Sequence, residues 1–177
     1  MPPPTHISAP SFLQWAYSDH LSNANRGVLA EYIVGLAVGA TEKARVEWDK
    51  HDLVTPGGVS IEVKSSAYLQ SWEQKKPSTI VFDIAPKTWW DAATNTYATE
   101  RERSAKVYVL CVFEEQDRQK ADPLDLSQWF FLVCATSQLN EWFGEQKSVR
   151  LGVLEGKGLD RLRFGEIAAA VEEVVTP

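Results

Sequence analysis

Residues 51–66 read HDLVTPGGVSIEVKSS, in which two β-rich runs flank the turn TPGG at 55–58. Proline and paired glycines favour a reversal of the chain, so this stretch predicts a β-hairpin. Alternation along the second strand, residues 59–65, turns its valines and isoleucine to one face and Glu62 and Lys64 to the other. The hairpin therefore carries an acid and a base side by side.

A second acid, Asp52, lies on the first strand of the hairpin. With a five-residue connection it would lie directly opposite Glu62, and with a four-residue connection opposite Ile61. Two carboxylates that converge at a sheet edge suit Mg²⁺, which keeps several waters and takes one or two carboxylates from a protein. The ion would lower the pKa of bound water and offset phosphate charge, while Lys64 would orient the attacking water or stabilise negative charge in the transition state.

The structural alternative is that Glu62 and Lys64 form only a cross-strand ion pair on a solvent-facing sheet surface, worth less than about 1 kcal/mol. The same Glu-x-Lys spacing also occurs at residues 73–75, 145–147 and 155–157. Those three triplets lie outside any convincing strand and are typical of solvated helix ends or turns. Context therefore singles out the triplet at 62–64.

The helix predicted before the hairpin, from Gly27 to Ala40, reads GVLAEYIVGLAVGA. It is apolar on nearly every side, which predicts burial all round rather than an amphipathic surface helix. Glu31 is its only charged residue and would be costly to bury without a cation or hydrogen-bond donors. A metal site nearby would supply that cation.

The rest of the chain predicts a single α/β domain over residues 1–177, a sandwich with a central mixed β-sheet flanked by helices. Continuous apolar runs at 106–113 and 129–135 are typical of strands covered on both faces, and TIVFDIA at 79–85 predicts another central strand. The remaining expectations are helices at 12–21, 67–74, 137–143 and 164–175, strands at 44–48, 51–54 and 148–154, an extended N-terminal segment at 1–11, and a loop or arm at 86–105.

Composition limits the environment and the partners. No secretory signal and no membrane-length apolar run is present, so the sequence favours a cytoplasmic protein without a membrane partner. Cys111 and Cys134 lie in apolar runs and are expected to be reduced core residues. The net charge of -6 opposes a surface that is basic all over. Residues 64–106 nevertheless carry seven basic and five acidic side chains, so a local basic face remains compatible with binding of nucleic acid.

Residues 25–70 resemble the PD-(D/E)xK nuclease superfamily, which has the restriction-endonuclease-like fold. The resemblance rests on Arg26-Gly27 and Glu31, on Asp52, and on IEVKSS at 61–66; His51 stands where the superfamily name has proline. It implies that Asp52 and Glu62 ligate magnesium, with manganese as a substitute, and that the Val63 carbonyl is a possible third ligand. It also implies that Lys64 is the catalytic lysine, that Glu31 approaches the metal, and that the substrate is DNA.

Residues around the hairpin are candidates for binding DNA: Arg26, Gln70, Lys75 and Lys76. In similar nucleases a polar side chain at the place of Gln70 approaches the scissile phosphate; the alternative is a plain surface residue. For Arg26 the alternative is helix capping or an ion pair. A phosphate-binding rim would use the side chains of Lys75, Lys76, Lys87, Arg101, Arg103, Lys106, Trp72, Trp89 and Trp90. The alternative is that these tryptophans pack in the core or at a dimer contact, while the basic residues pair with Glu100 and Glu102.

The sequence thus carries two functional hypotheses. The first is a metal-dependent endonuclease that hydrolyses phosphodiester bonds in DNA, acting as a homodimer or with a partner subunit if it cuts both strands. The second is a non-catalytic protein-interaction subunit that keeps the nuclease fold as a scaffold.

Overall fold

A computed structural model describes residues 6–46, 50–88, 90–91, 96–97 and 101–176, with the side chains of residues 90, 91, 96 and 97 left aside. Within these ranges no helix has the length and apolar character needed to cross a bilayer. The expectations for residues 1–5, 47–49, 89, 92–95, 98–100 and 177 fall outside them.

Four strands form the central sheet, in the order β1-β2-β6-β7. β2 runs antiparallel to β1 and parallel to β6, and β6 runs antiparallel to β7, so the sheet is mixed as predicted. The strands within the described residues are β1 (Leu53–Val54), β2 (Ser60–Ala67), β3 (Val81–Asp83), β4 (Trp90–Asp91), β5 (Thr96–Tyr97), β6 (Val107–Phe113), β7 (Trp129–Ala135) and β8 (Ser148–Arg150).

Helices and a small second sheet cover the two faces of the central sheet. One face packs against α2 and α5, while the other packs against α3, α4 and the antiparallel β3–β8 pair. This arrangement confirms the predicted α/β sandwich. The helices are α1 (Ala9–Tyr17), α2 (Asn23–Val38), α3 (Thr136–Phe143), α4 (Leu151–Gly156) and α5 (Ile167–Val175), with 3₁₀ turns at Leu126–Gln128 and Phe164–Glu166.

The central strands β6 and β7 confirm the sequence prediction closely. Every residue of β6 and all but the last of β7 are buried. Apolar side chains fill both faces, because helices lie on one side and the β3–β8 pair on the other. Continuous apolar runs of strand length arise from this double coverage.

The prediction that α2 is buried all round is wrong. Ala30, Ile33 and Val34 pack into the core, but Val28, Tyr32 and Leu36 are exposed on the far side. The helix begins with Ser22, whose side chain accepts a hydrogen bond from the Asn25 N–H, and ends at Gly39 in the left-handed region at φ 70°. An apolar helix face is thus left open to solvent.

Several other local predictions need correction. Residues 68–74 form bends and irregular loop rather than a helix, because the Gln74 side chain accepts from the Gln70 N–H and donates to the Tyr68 carbonyl. The run at 79–85 contributes β3 to the small sheet with β8, not a central strand. Residues 148–154 are strand only to Arg150 and helix from Leu151, and the strand predicted at 44–48 is absent over 44–46.

The two segments predicted as irregular contain regular structure. The N-terminal segment is helical from Ala9, so it is not extended to residue 11. In the arm at 86–105, Lys87 and Glu102 exchange backbone hydrogen bonds and β4 pairs with β5, which makes the described part of the arm a β-hairpin. Cys111 and Cys134 are free and buried, as predicted.

Candidate functional site

The register of the first hairpin brings Asp52 to Glu62. β1 pairs with β2 as Leu53↔Ile61 and Val54↔Ser60, and one further step along this register places Asp52 opposite Glu62. Beyond the end of β1 the Asp52 side chain replaces a backbone partner, since its Oδ2 atom accepts a 2.7 Å hydrogen bond from the Val63 N–H. Because the N–H and C=O of a strand residue point to the same side, the Val63 carbonyl faces this same edge.

Asp52 is an acid in an unfavourable environment. Burial, together with the nearby Glu62 carboxylate, raises the pKa of Asp52 from 3.8 to about 6, although Lys64 and the Val63 N–H act in the opposite direction. Its Oδ1 atom accepts no hydrogen bond from the described residues. A half-buried carboxylate with one free oxygen and a second carboxylate beside it is an arrangement that a cation would stabilise.

Lys64 supplies one positive charge to this pair of acids. Its ammonium group forms an ion pair with Glu62 Oε1, and only 19% of the lysine side chain and 16% of the glutamate side chain are exposed. Both residues lie on β2 and are mostly buried, so they do not form the cross-strand pair on a solvent-facing surface of the structural alternative. Both side chains project from the same face of β2, as strand alternation predicts.

Two residues that the sequence prediction missed complete the surroundings. Tyr108 lies beside Glu62 in the parallel register of β6, where burial and the glutamate charge raise its pKa. Asp83 lies at the end of β3 near Lys64; although burial raises its pKa, the Ala85 N–H, Lys87 and Lys64 together hold that pKa below the usual value. Both lie within apolar runs that indicate strands, and no spacing in the sequence connects them with Glu62.

Glu31 forms a salt bridge with Arg45. The guanidinium forms two hydrogen bonds to the carboxylate, one of them 3.0 Å long, and the glutamate side chain is 14% exposed. The charge of Glu31 still contributes to the raised pKa of Asp52, so the two acids are within electrostatic reach. Arg45, from the loop after α2, thus offsets the cost of burying the Glu31 charge. The role of Glu31 at a metal stays a prediction.

Arg26 is a buried arginine without an acidic partner among the described residues. It donates to Ser65 Oγ on β2, to the Leu21 carbonyl and to Asn23 Oδ1. Burial lowers its pKa. These contacts fit the capping alternative, since the guanidinium ties the start of α2 to the loop before it and to β2.

A groove of about 590 Å³ opens beside Lys64, between the start of α2 and β3. Arg26, Gln70 and Asp83 also line it. Gln70 is only 7% exposed, so the plain surface alternative is wrong. Its amide nitrogen donates to the Ala67 carbonyl and Ser78 Oγ, while its Oε1 atom is buried without a partner among the described residues.

The predicted basic rim is only partly assembled. Lys75 and Lys76 are exposed and do not line the groove, whereas Trp72, 57% exposed, does. Arg103 is wrong as a rim residue, because it is buried and donates to the Ile84 carbonyl and Asn140 Oδ1. Lys87 pairs with Asp83, and Arg101 donates to the Pro86 carbonyl. Lys106 is exposed beside β2. The side chains of Trp89 and Trp90 lie outside the described residues.

Residues 15–146 match the sequence model of the family described as bacteriophage T4 endonuclease IV. The chain belongs to the bacteriophage T4 endonuclease IV family. The match runs from the second half of α1 to just beyond α3 and includes every candidate site residue named above. No curated protein matches the chain.

Membership of the T4 endonuclease IV family indicates nuclease activity, and the donor set on the hairpin can be compared with that chemistry. In the part of the chain that the structure describes, no group of three or more His, Cys, Asp and Glu side chains is arranged to hold a metal ion. Asp52 and Glu62 interact electrostatically at the edge of β2 where the Asp52 side chain binds the Val63 N–H, and the Val63 carbonyl points to that same edge. This smaller oxygen set fits Mg²⁺, which needs few protein ligands and retains water.

His51 lies next to this set but turns away from it. Its Nε2 atom is 3.2 Å from the Ser104 carbonyl oxygen, so the ring links the hairpin to the segment before β6. This contact gives His51 a structural role beside Asp52 in the hairpin.

Proposed function

We propose that this chain is a magnesium-dependent endonuclease that hydrolyses phosphodiester bonds in DNA, with a site of the PD-(D/E)xK type on the β1–β2 hairpin. One observation carries the proposal: Asp52 and Glu62 oppose each other across the open edge of β2 with Lys64 beside them, in a member of an endonuclease family. The residue types match what phosphodiester hydrolysis needs, which is a hard cation site and a separate positive charge.

Asp52, Glu62 and the Val63 carbonyl would hold the ion. Magnesium bound there would supply positive charge against the phosphate oxygens and lower the pKa of a coordinated water. The raised pKa of Asp52 supports this assignment, because a cation would relieve both the burial cost and the repulsion from Glu62. Manganese would substitute, since it also prefers oxygen ligands.

Lys64 would act on the substrate rather than on the ion. Its ammonium now neutralises Glu62, a role that a bound cation would take over. The lysine would then donate hydrogen bonds to a phosphate oxygen or to the attacking water as negative charge develops. Two carboxylates, one lysine, one divalent ion and one phosphodiester together carry no net charge, which suits a partly buried site.

The groove beside Lys64 would receive the DNA strand that carries the reacting phosphate. Arg26 contributes positive charge without an acid to cancel it among the described residues, and the start of α2 adds a helix N-terminus of matching sign. Gln70 also lines this groove, so its side chain would lie close to the bound strand. Lys75 and Lys76 would contribute long-range attraction only, because they lie outside the groove lining.

The test is cleavage of closed circular DNA with and without Mg²⁺ or Mn²⁺. We expect nicking or linearisation only with the ion, and at least about a hundredfold loss of rate in Lys64→Ala. Far-ultraviolet circular dichroism would verify that the variant stays folded. Undiminished cleavage by folded Lys64→Ala would refute the assignment of the site.

A matched control comes from the chain itself. The triplet at 145–147 has the same Glu-x-Lys spacing but follows α3, away from the hairpin. Lys147→Ala removes the same charge from the protein as Lys64→Ala does. Because Lys147 lies away from the hairpin, this variant should cleave at the wild-type rate. Equal losses in Lys64→Ala and Lys147→Ala would point to nonspecific electrostatics instead of catalysis.

The second candidate function, a non-catalytic interaction subunit, is favoured by a different observation: the apolar faces of α1 and α2 are exposed. Calorimetric titration with Mg²⁺ and Mn²⁺ separates the two functions. The nuclease proposal expects binding heats that disappear in Asp52→Asn. Identical titrations for wild type and variant would favour the interaction subunit.

A further inference from the structure

The helix α1 carries large apolar side chains that the protein does not bury. Among residues 9–17 none is buried, and Trp15 is 83% exposed, Leu13 53% and Phe12 50%. Residues 7–17 (ISAPSFLQWAY) contain no charged side chain. An exposed helix of this composition gains little from solvent and needs an apolar surface to cover it.

The chain also presents such a surface on α2. Val28, Tyr32 and Leu36 follow one another at intervals of four residues, so they form one exposed stripe along the helix. Asn25 lies at the head of this stripe, where its side chain donates to the Asp19 carbonyl at 3.0 Å and to the Ala16 carbonyl at 3.5 Å. The end of α1 is thereby fixed near the stripe, yet α1 does not cover it.

We propose that two copies of the chain form a two-fold symmetric dimer in which α1 of each copy packs on the Val28-Tyr32-Leu36 stripe of the other. Within the described residues, one chain supplies both an uncovered helix and an uncovered stripe, which is what a self-complementary interface requires. Their lengths match, since at 1.5 Å per residue both α1 and the stripe extend roughly 12–14 Å.

The chemistry of the two surfaces favours a second copy over other partners. Nucleic acid is bound through Lys and Arg, and a membrane-surface helix is rich in the same residues, but α1 has neither. The full chain has a net charge of -6, so two copies repel each other over most of their surfaces. A contact between the uncharged helix α1 and the apolar stripe on α2 is the place where that repulsion is weakest.

The exposed area is sufficient for a stable contact. At roughly 200 Å² per aromatic side chain, Phe12, Trp15, Tyr17 and Tyr32 alone would offer about 450 Å² at their observed exposure. Ile7, Leu13, Val28 and Leu36 add aliphatic area to this. The total approaches the approximately 800 Å² per partner of a standard interface.

The contact would also come close to the candidate site. Val28 and Tyr32 line a groove of about 410 Å³ that is also lined by Glu31 and Asp52. A partner helix on the stripe would therefore border the hairpin edge. The dimer itself does not depend on the proposed nuclease activity, because it rests on the exposed faces of α1 and α2.

Sedimentation equilibrium tests the proposal on the full chain. The wild type should have twice the mass of the 19.8 kDa monomer. Leu13→Lys in the middle of α1 and Tyr32→Glu in the middle of the stripe should each raise the dimer dissociation constant at least about a hundredfold, because each buries an unpaired charge. An equimolar mixture of the two variants should restore a dimer, since one interface then pairs opposite charges and the other is wild type.

The matched control is Leu124→Lys, which places the same charge on an exposed leucine outside both faces and should remain dimeric. Circular dichroism of each variant would verify folding. A monomeric wild type at about 100 μM would overturn the proposal, as would a dimer that both substitutions leave intact. Failure of the mixture to reassociate would show that the two faces do not meet, whatever the outcome of the cleavage assay.

Discussion

The central strands β6 and β7 and the hairpin of β1 and β2 belong to one sheet but have opposite characters. β6 and β7 are apolar and almost completely buried. The hairpin brings two carboxylates and a lysine to an open edge, where burial raises the pKa of Asp52. The difference indicates that the centre of the sheet stabilises the fold. The edge carries charges that destabilise the fold and are explained by function instead.

The largest effect on stability should come from the central strands. Leu132→Ala in β7 removes a fully buried side chain, so we expect the free energy of unfolding to fall by about 2–5 kcal/mol. Urea denaturation measures this change. Leu124→Ala, at a leucine that is 58% exposed, is the matched control and should cost less than about 0.5 kcal/mol. Equal losses of unfolding free energy at both positions would show that the central strands contribute no more to stability than exposed loops do.

A smaller change in the free energy of unfolding, of opposite sign, is expected at the hairpin edge that carries Asp52. Asp52→Asn should raise the free energy of unfolding of the metal-free protein by about 1–3 kcal/mol, because it removes a charge that burial and Glu62 disfavour. The amide oxygen can still accept from the Val63 N–H. The same variant should lose cleavage, so stability and activity would change in opposite directions.

The pH dependence of stability follows from the same shift. The Asp52 carboxyl ionises near 3.8 in the unfolded chain and near 6 in the folded protein. Between these values the folded state keeps the proton more firmly, so this group lowers stability as pH rises from about 4 to 6 and adds no further change above that. Urea midpoints of wild type and Asp52→Asn should therefore diverge across this window. Parallel curves would contradict the raised pKa.

The smallest expected signal concerns the cysteines of the central strands. Burial raises the pKa of Cys134 to about 12 and that of Cys111 further still. Thiolate is the reactive form, so a thiol reagent at pH 8 should label neither residue in the native state and both after unfolding. Fast labelling of the native protein would show that β6 and β7 are less closed than their burial indicates.

The parts that could be predicted from sequence are those in which a single local rule decides the structure. β7 was predictable because seven consecutive apolar residues leave no polar face. The opposition of Asp52 and Glu62 was predictable to within one residue, because the turn at 55–58 limits the register. Which residue of β2 lies opposite Asp52 depended on whether the connection has four or five residues.

The parts that could not be predicted depend on particular side-chain contacts, most of them between residues distant in sequence. Glu31 is neutralised by Arg45 across the end of α2, and Tyr108 reaches Glu62 only through the parallel pairing of β2 and β6. The helix expected at 67–74 fails because Gln74 hydrogen-bonds the backbone of residues 68 and 70. The composition of those residues allows either structure, and local hydrogen bonds from a side chain to the backbone decide between them.

The parallel pairing of β2 with β6 has a consequence for how the chain folds. The β1–β2 hairpin closes over a few residues, whereas the first contact between Lys106 and Ser60 spans 46 residues. Closing so long a loop costs entropy before its contacts stabilise it, which slows folding. We therefore expect Asp52 and Glu62 to meet early in folding and Tyr108 to take its place beside Glu62 late, so that the two acids pass through a stage at which water still surrounds their charges.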